Sequence, residues 1–185
     1  MSWALLRVEL VVCAWIIVLL LGDLLVPPPR KASLWRLAFA GAITCGIVLG
    51  LTPIEFIGHS FQDTFVLDRF AVYFKGLFVL TVGLVVIMTR QAHRPGSSPL
   101  PHPGAFYMLL FTALLGMLVL ASVQDLLLLF IGLELLTFSL YVMAAYLKTE
   151  PPAIEAGMKY LILGSVSAGF LVYGLMPLAG FVLLQ

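Results

Sequence analysis

The segment Asp125-Leu-Leu-Leu-Leu-Phe-Ile-Gly-Leu-Glu134-Leu-Leu-Thr-Phe-Ser-Leu-Tyr-Val-Met-Ala-Ala-Tyr146 decides the reading of this chain. It is an apolar run long enough to cross a bilayer as a helix, for which about 20 residues suffice. One carboxylate, Glu134, interrupts it. At 1.5 Å per residue Glu134 lies roughly 13 Å from the start of the segment, near mid-membrane. A charge there costs about 2.5–3.5 kcal/mol on insertion scales, so it has to face a partner, take up a proton or sit beside water. Burial disfavours an ionised carboxyl and a nearby cation favours it. Glu134 is therefore a candidate proton-relay group, the alternative being a carboxylic acid held permanently protonated between helices. Its helical face carries Leu127, Phe130, Ile131, Thr137, Phe138 and Tyr141, so Tyr141 is the local accessory candidate.

Downstream, Pro151-Pro152 separates this segment from a further apolar one at 156–176, which contains Lys159. Glu155 precedes Lys159 by four residues, the favoured order for a helical ion pair, and the lysine stem has the length to snorkel to the membrane surface. In a plain helical hairpin Glu134 would lie about 12 Å deeper than Lys159. A relay role and a surface pair for Lys159 and Glu155 both remain open on these grounds.

Upstream, four more apolar segments occur at roughly 5–26, 35–52, 70–90 and 105–123. The runs show no two-residue alternation, and backbone polar groups in lipid must be satisfied within each segment unless a barrel closes. The expected fold is all-α: a polytopic membrane domain spanning 1–185 with about six transmembrane helices. Composition agrees. Of 185 residues 62% are hydrophobic and 10% charged, against roughly 25% charged in soluble domains. A formal charge of +1 without a basic cluster excludes a nucleic-acid-binding field. Arg7 and the run after it resemble a secretory signal, but no small-residue cleavage site precedes Pro27-Pro28-Pro29, so a retained helix is expected.

Lys and Arg set the orientation. Arg30, Lys31, Arg36, Arg90, Arg94 and Lys148 belong to the first, third and fifth connections, whereas Glu55, Asp63, Asp68, Arg69 and Asp125 occupy the second and fourth. The odd loops are expected on the cytoplasmic side and the N-terminus outside. Lys75, early in the third segment, is expected to snorkel to the outer surface, with an accessory site role as the alternative. Glu9 and Asp23 fall near opposite ends of the first segment, where interface solvation is available. Cys13 and Cys45 lack paired spacing and read as free thiols. His59, His93 and His102 read as loop residues rather than metal ligands. Gly46 with Gly50, and Gly164 with Ala168, are weak signals of close helix packing. Nucleophilic triads, phosphate-binding loops and haem or iron–sulfur ligand sets are absent from the sequence.

The order of these residues resembles a known family. Gly104-Ala-Phe-Tyr-Met-Leu-Leu-Phe-Thr-Ala-Leu-Leu-Gly-Met-Leu-Val-Leu-Ala-Ser-Val-Gln-Asp125, then Phe130-Ile-Gly-Leu-Glu134-Leu-Leu-Thr-Phe-Ser-Leu-Tyr141 and Glu155-Ala-Gly-Met-Lys-Tyr-Leu-Ile-Leu-Gly164, look like subunit N of proton-translocating NADH:quinone oxidoreductase, respiratory complex I. Val66-Leu-Asp-Arg-Phe-Ala-Val-Tyr-Phe-Lys75 is similar to the start of that family's third helix. The resemblance covers nearly the whole chain and is most specific over 104–174. It implies that Glu134 and Lys159 belong to a path of buried ionisable groups and waters, with Lys75, Glu155 and Tyr141 as accessory candidates. It also implies a bacterial inner membrane location and other complex I membrane subunits as partners. NADH, FMN, iron–sulfur clusters and quinone would be held by partner subunits, with no cofactor or metal in this chain. Ala105 and Ser139 depart from the family pattern, which usually has an acid and a proline there. Family members are more than twice as long, so a truncated or split subunit is expected. A subunit of a multi-subunit cation/proton antiporter and a non-transporting assembly partner are the alternatives.

Overall fold

The computed structural model of the chain describes residues 6–27, 31, 33–52, 58–60, 64–91 and 102–183. Six helices dominate: α1 (Arg7–Leu25), α2 (Leu34–Gly50), α3 (Arg69–Gln91), α4 (Pro103–Leu120), α5 (Leu126–Ala144) and α6 (Pro151–Leu183). All but α2 are long and apolar enough to cross a membrane. At 17 residues α2 is the shortest of them, about 25 Å at the ordinary helical rise. His93, Arg30, Arg94, Glu55, Asp63 and the side chain of His59 lie outside the described residues.

Proline marks two helix starts. Pro103 opens α4, and Pro151 and Pro152 form the first turn of α6 instead of merely preceding it. The first four amides of a helix have no intrahelical acceptor, so a residue without an N–H is tolerated there. Asp125 starts α5 differently: its carboxylate accepts the Leu128 N–H at 3.0 Å, a side-chain N-cap.

Helix α4 is the centre of the bundle, packing against α1, α2, α3 and α5. Its Tyr107, Phe111, Leu114 and Leu118 are fully buried against Val12 and Leu19 of α1, Ala38 and Cys45 of α2, and Val82 and Val86 of α3. Helix α6 leans on α5 alone to any large extent. The expected Gly46–Gly50 contact is not the close approach: a Cβ at Gly50 would meet nothing within 4 Å, and one at Gly46 only Val79 at 3.8 Å. The tight crossing lies between α4 and α5, where a Cβ on Gly116 would stand 2.8 Å from the Leu136 amide nitrogen. A small residue in an apolar run permits such an approach without locating it, which is why the α2 motif misleads.

One element is not helical. Strands β1 (Gly58–Ser60) and β2 (Phe65–Leu67) pair antiparallel, with His59 opposite Val66. Phe65 also bridges to Val123, so the hairpin reaches the connection between α4 and α5. Three-residue strands are too short for any alternation to register in sequence.

Candidate functional site

The two residues that carry the expected relay are not joined to each other. Glu134 is the ninth residue of α5 and is half-buried. Its backbone oxygen accepts from the Thr137 hydroxyl at 3.3 Å, while its carboxylate forms no hydrogen bond or ion pair with a described residue. Lys159 instead pairs with Glu155 at 2.5 Å on the outer surface of α6, the two side chains 70% and 65% exposed. Of the two arrangements left open for Lys159, the structure contains the i,i+4 pair. Tyr141, about two turns after Glu134, is buried; its ring meets Tyr160 edge-on at 4.7 Å. A Cβ on Gly164 would overlap the Tyr141 hydroxyl, so glycine there lets α6 close over the tyrosine. Tyr141 also lines a cleft of about 660 Å³ between α4, α5 and α6, whose rim carries Asp23, His102 and Lys148.

The third helix brings a correction. Lys75 does not snorkel: it is completely buried and donates to Glu9 Oε1 at 2.5 Å. Glu9, 5% exposed, is likewise not solvated at the membrane interface. Both helices begin on the same side of the bundle, so a glutamate in the first turn of α1 and a lysine less than two turns into α3 meet when the helices pack side by side. The Lys75 ammonium also sits 4.9 Å from the centroid of the Phe65 ring, a cation–π distance. Glu9 Oε2 is buried and has no hydrogen-bond partner among the described residues. Two lone charges on helices with a common starting side are the signal that the sequence carries for this pair.

At the opposite end, Lys31 bonds Asp23 at 2.9 Å, and the Arg90 guanidinium lies 4.8 Å from the Trp35 ring centroid. His102 donates its backbone N–H to the Tyr146 hydroxyl at 3.0 Å. Cys45 is buried and Cys13 half-buried, both as free thiols. Among the described residues no three His, Cys, Asp or Glu side chains are grouped as a metal ion would need.

A helical bundle of membrane-length apolar helices with ionisable side chains inside them defines a class: multi-pass membrane proteins that carry charge within their spans. Comparison narrows it. Residues 123–182, which contain α5 and all but the last residue of α6, match the family described as "NADH:quinone oxidoreductase/Mrp antiporter, TM". NADH-quinone oxidoreductase subunit N of Trichlorobacter lovleyi is 38% identical over 162 residues, covering 88% of this chain and 32% of the relative. Subunit N of a Geobacillus species is 37% identical over 182 residues, covering 97% and 36%. Among solved structures, respiratory complex I from Thermus thermophilus with bound aureothin contains a chain that superimposes with a TM-score of 0.75 at 26% identity, over 94% of this chain and 36% of that one. Over most of its length the chain is similar to subunit N of NADH-quinone oxidoreductase, and its last two helices match the antiporter-like membrane family. It spans about a third of the length of the curated relatives it matches.

Proposed function

We propose that this chain serves as a membrane subunit of a complex I-type NADH:quinone oxidoreductase and contributes Glu134 to redox-coupled proton translocation. The observation that carries this reading is the carboxylate of Glu134, set near the middle of a membrane-length helix without a bonded partner among the described residues. A carboxyl group so placed gains and loses a proton according to the water and charge brought to it. Lys159 acts one helix away, where a move from its Glu155 partner towards the bundle interior changes the charge that Glu134 meets. Tyr141 stands between α5 and α6 and supplies a hydroxyl on that route. NADH, FMN, iron–sulfur clusters and quinone belong to partner subunits in this reading, and the membrane is a bacterial inner membrane.

The orientation follows from charge. Lys31, Arg36, Arg90 and Lys148 gather at the end where α1, α3 and α5 finish, and Asp68 and Asp125 lie at the end where those helices start. By the positive-inside rule the first is cytoplasmic and the N-terminus external. The multi-subunit antiporter alternative is supported by the joint family description alone, whereas the named relatives are oxidoreductase subunits. Glu134→Gln in the assembled complex tests the proposal: redox-driven proton translocation is expected to fall sharply with assembly retained. Unchanged translocation would remove Glu134 from the path.

A further inference from the structure

We propose that the buried Glu9–Lys75 pair, acting through Phe65 and the β-hairpin, positions the helix that carries Glu134; the inference rests on the reading of Glu134 given above. A continuous set of contacts joins the two places. Lys75 donates to Glu9 and holds its ammonium 4.9 Å from the Phe65 ring centroid, which ties β2 to α1 and α3. On its other side β2 grips the α4–α5 connection: Val66 N–H donates to the Ser122 carbonyl at 2.8 Å, and Gln124 N–H donates to the Thr64 carbonyl at 3.0 Å. The next residue, Asp125, caps α5 through the Leu128 amide. Glu134 follows two and a half turns later.

Among the described residues α5 has no broad direct interface with α1 or α3 and packs chiefly on α4 and α6, so the hairpin and α4 are the two links between the ion pair and α5. The glycine contact between α4 and α5 sets how closely the two helices approach. The hairpin sets how deep α5 sits. Charge at the anchor is the second sign of a role beyond packing. A buried pair is no more stabilising than well-packed apolar residues, and Glu9 Oε2 is left buried without a partner among the described residues, a state for which folded proteins usually have a reason. Lys75 and Glu9 are thus positioning residues for Glu134.

The test is modification of Glu134 by a hydrophobic carbodiimide in the assembled membrane complex, quantified by mass spectrometry relative to Glu155 in the same sample. Lys75→Met and Phe65→Leu are each expected to change the Glu134-to-Glu155 ratio several-fold, and Phe65→Tyr, which keeps the ring, to preserve it. Glu155, already exposed, serves as the internal reference, and general loosening is controlled by Val86→Ala, a buried truncation in α3 far from the hairpin, which is expected to preserve the ratio; a shift there as large as that of Phe65→Leu would overturn the proposal. If Lys75→Met fails to assemble, Phe65→Leu carries the test, since it leaves the ion pair in place. The proposal is overturned if Phe65→Leu leaves the ratio unchanged, if Phe65→Tyr shifts it as far as Phe65→Leu does, or if Glu134 is unmodified in parent and variants alike. The readout is the environment of Glu134, not pumping. Normal translocation in Glu134→Gln would therefore refute the relay reading, whereas an unchanged modification ratio in Phe65→Leu would refute the positioning of α5, so the two failures are distinguishable.

Discussion

Two glutamate–lysine pairs in this molecule close to the same 2.5 Å, yet one is buried between α1 and α3 and the other lies on the outer surface of α6. Glu155 and Lys159 are four residues apart, so helix formation alone brings them together. Glu9 and Lys75 are 66 residues apart and meet only if two helices pack in the correct register. The first pair reports local geometry and the second the tertiary fold. Distance alone distinguishes neither their energies nor their roles; burial and separation along the chain do.

The largest effect that would sharpen this contrast is expected at the buried pair. Lys75→Met leaves Glu9 charged and unpaired, and losing one member of such a pair typically costs about 3–5 kcal/mol. The double replacement Glu9→Gln with Lys75→Met should recover most of that loss in thermal unfolding of the detergent-solubilised protein. A double variant as unstable as the single would show that the two side chains are not energetically coupled. Next in size is Gly164→Leu, which drives a side chain into Tyr141 and should cost about 1–3 kcal/mol by overpacking, while Gly50→Leu, facing open space, should be tolerated. Equal losses at the two glycines would contradict the α5–α6 contact. The smallest stability change belongs to Lys159→Met. An exposed i,i+4 pair contributes about 0.2–0.5 kcal/mol, so unfolding should scarcely move while proton translocation falls, and a large destabilisation would mean that the α6 pair is structural.

Much of the architecture is written locally. The 125–146 segment declares its helix and its misplaced charge within a few turns, whereas the cap that Asp125 makes is seen only in the structure, and the resemblance to subunit N agrees with the relatives found by comparison. What escapes the sequence is whatever depends on distant partners. Lys75 invites a snorkelling interpretation because, seen alone, its helix offers it no anion; the anion is Glu9, on another helix. The hairpin at Gly58–Ser60 and Phe65–Leu67 escapes because its strands are brief and part of their pairing comes from Ser122, Val123 and Gln124. Gly50 and Gly116 look alike in an apolar run, and only the crossing of α4 over α5 tells them apart.

The separation of Glu9 from Lys75 also sets a schedule for biogenesis. Translation at about 5–20 residues per second puts the 66 residues between them several seconds apart. During that interval α1 stands in the bilayer with a glutamate near its leading end and no lysine to meet it. In that interval the first-turn position of Glu9 leaves its carboxyl group within reach of interfacial water, and only the arrival of α3 completes the pair. Slowing synthesis between α1 and α3 would lengthen the exposure of that carboxyl group, which makes the α1–α3 interval the vulnerable moment in building this membrane domain.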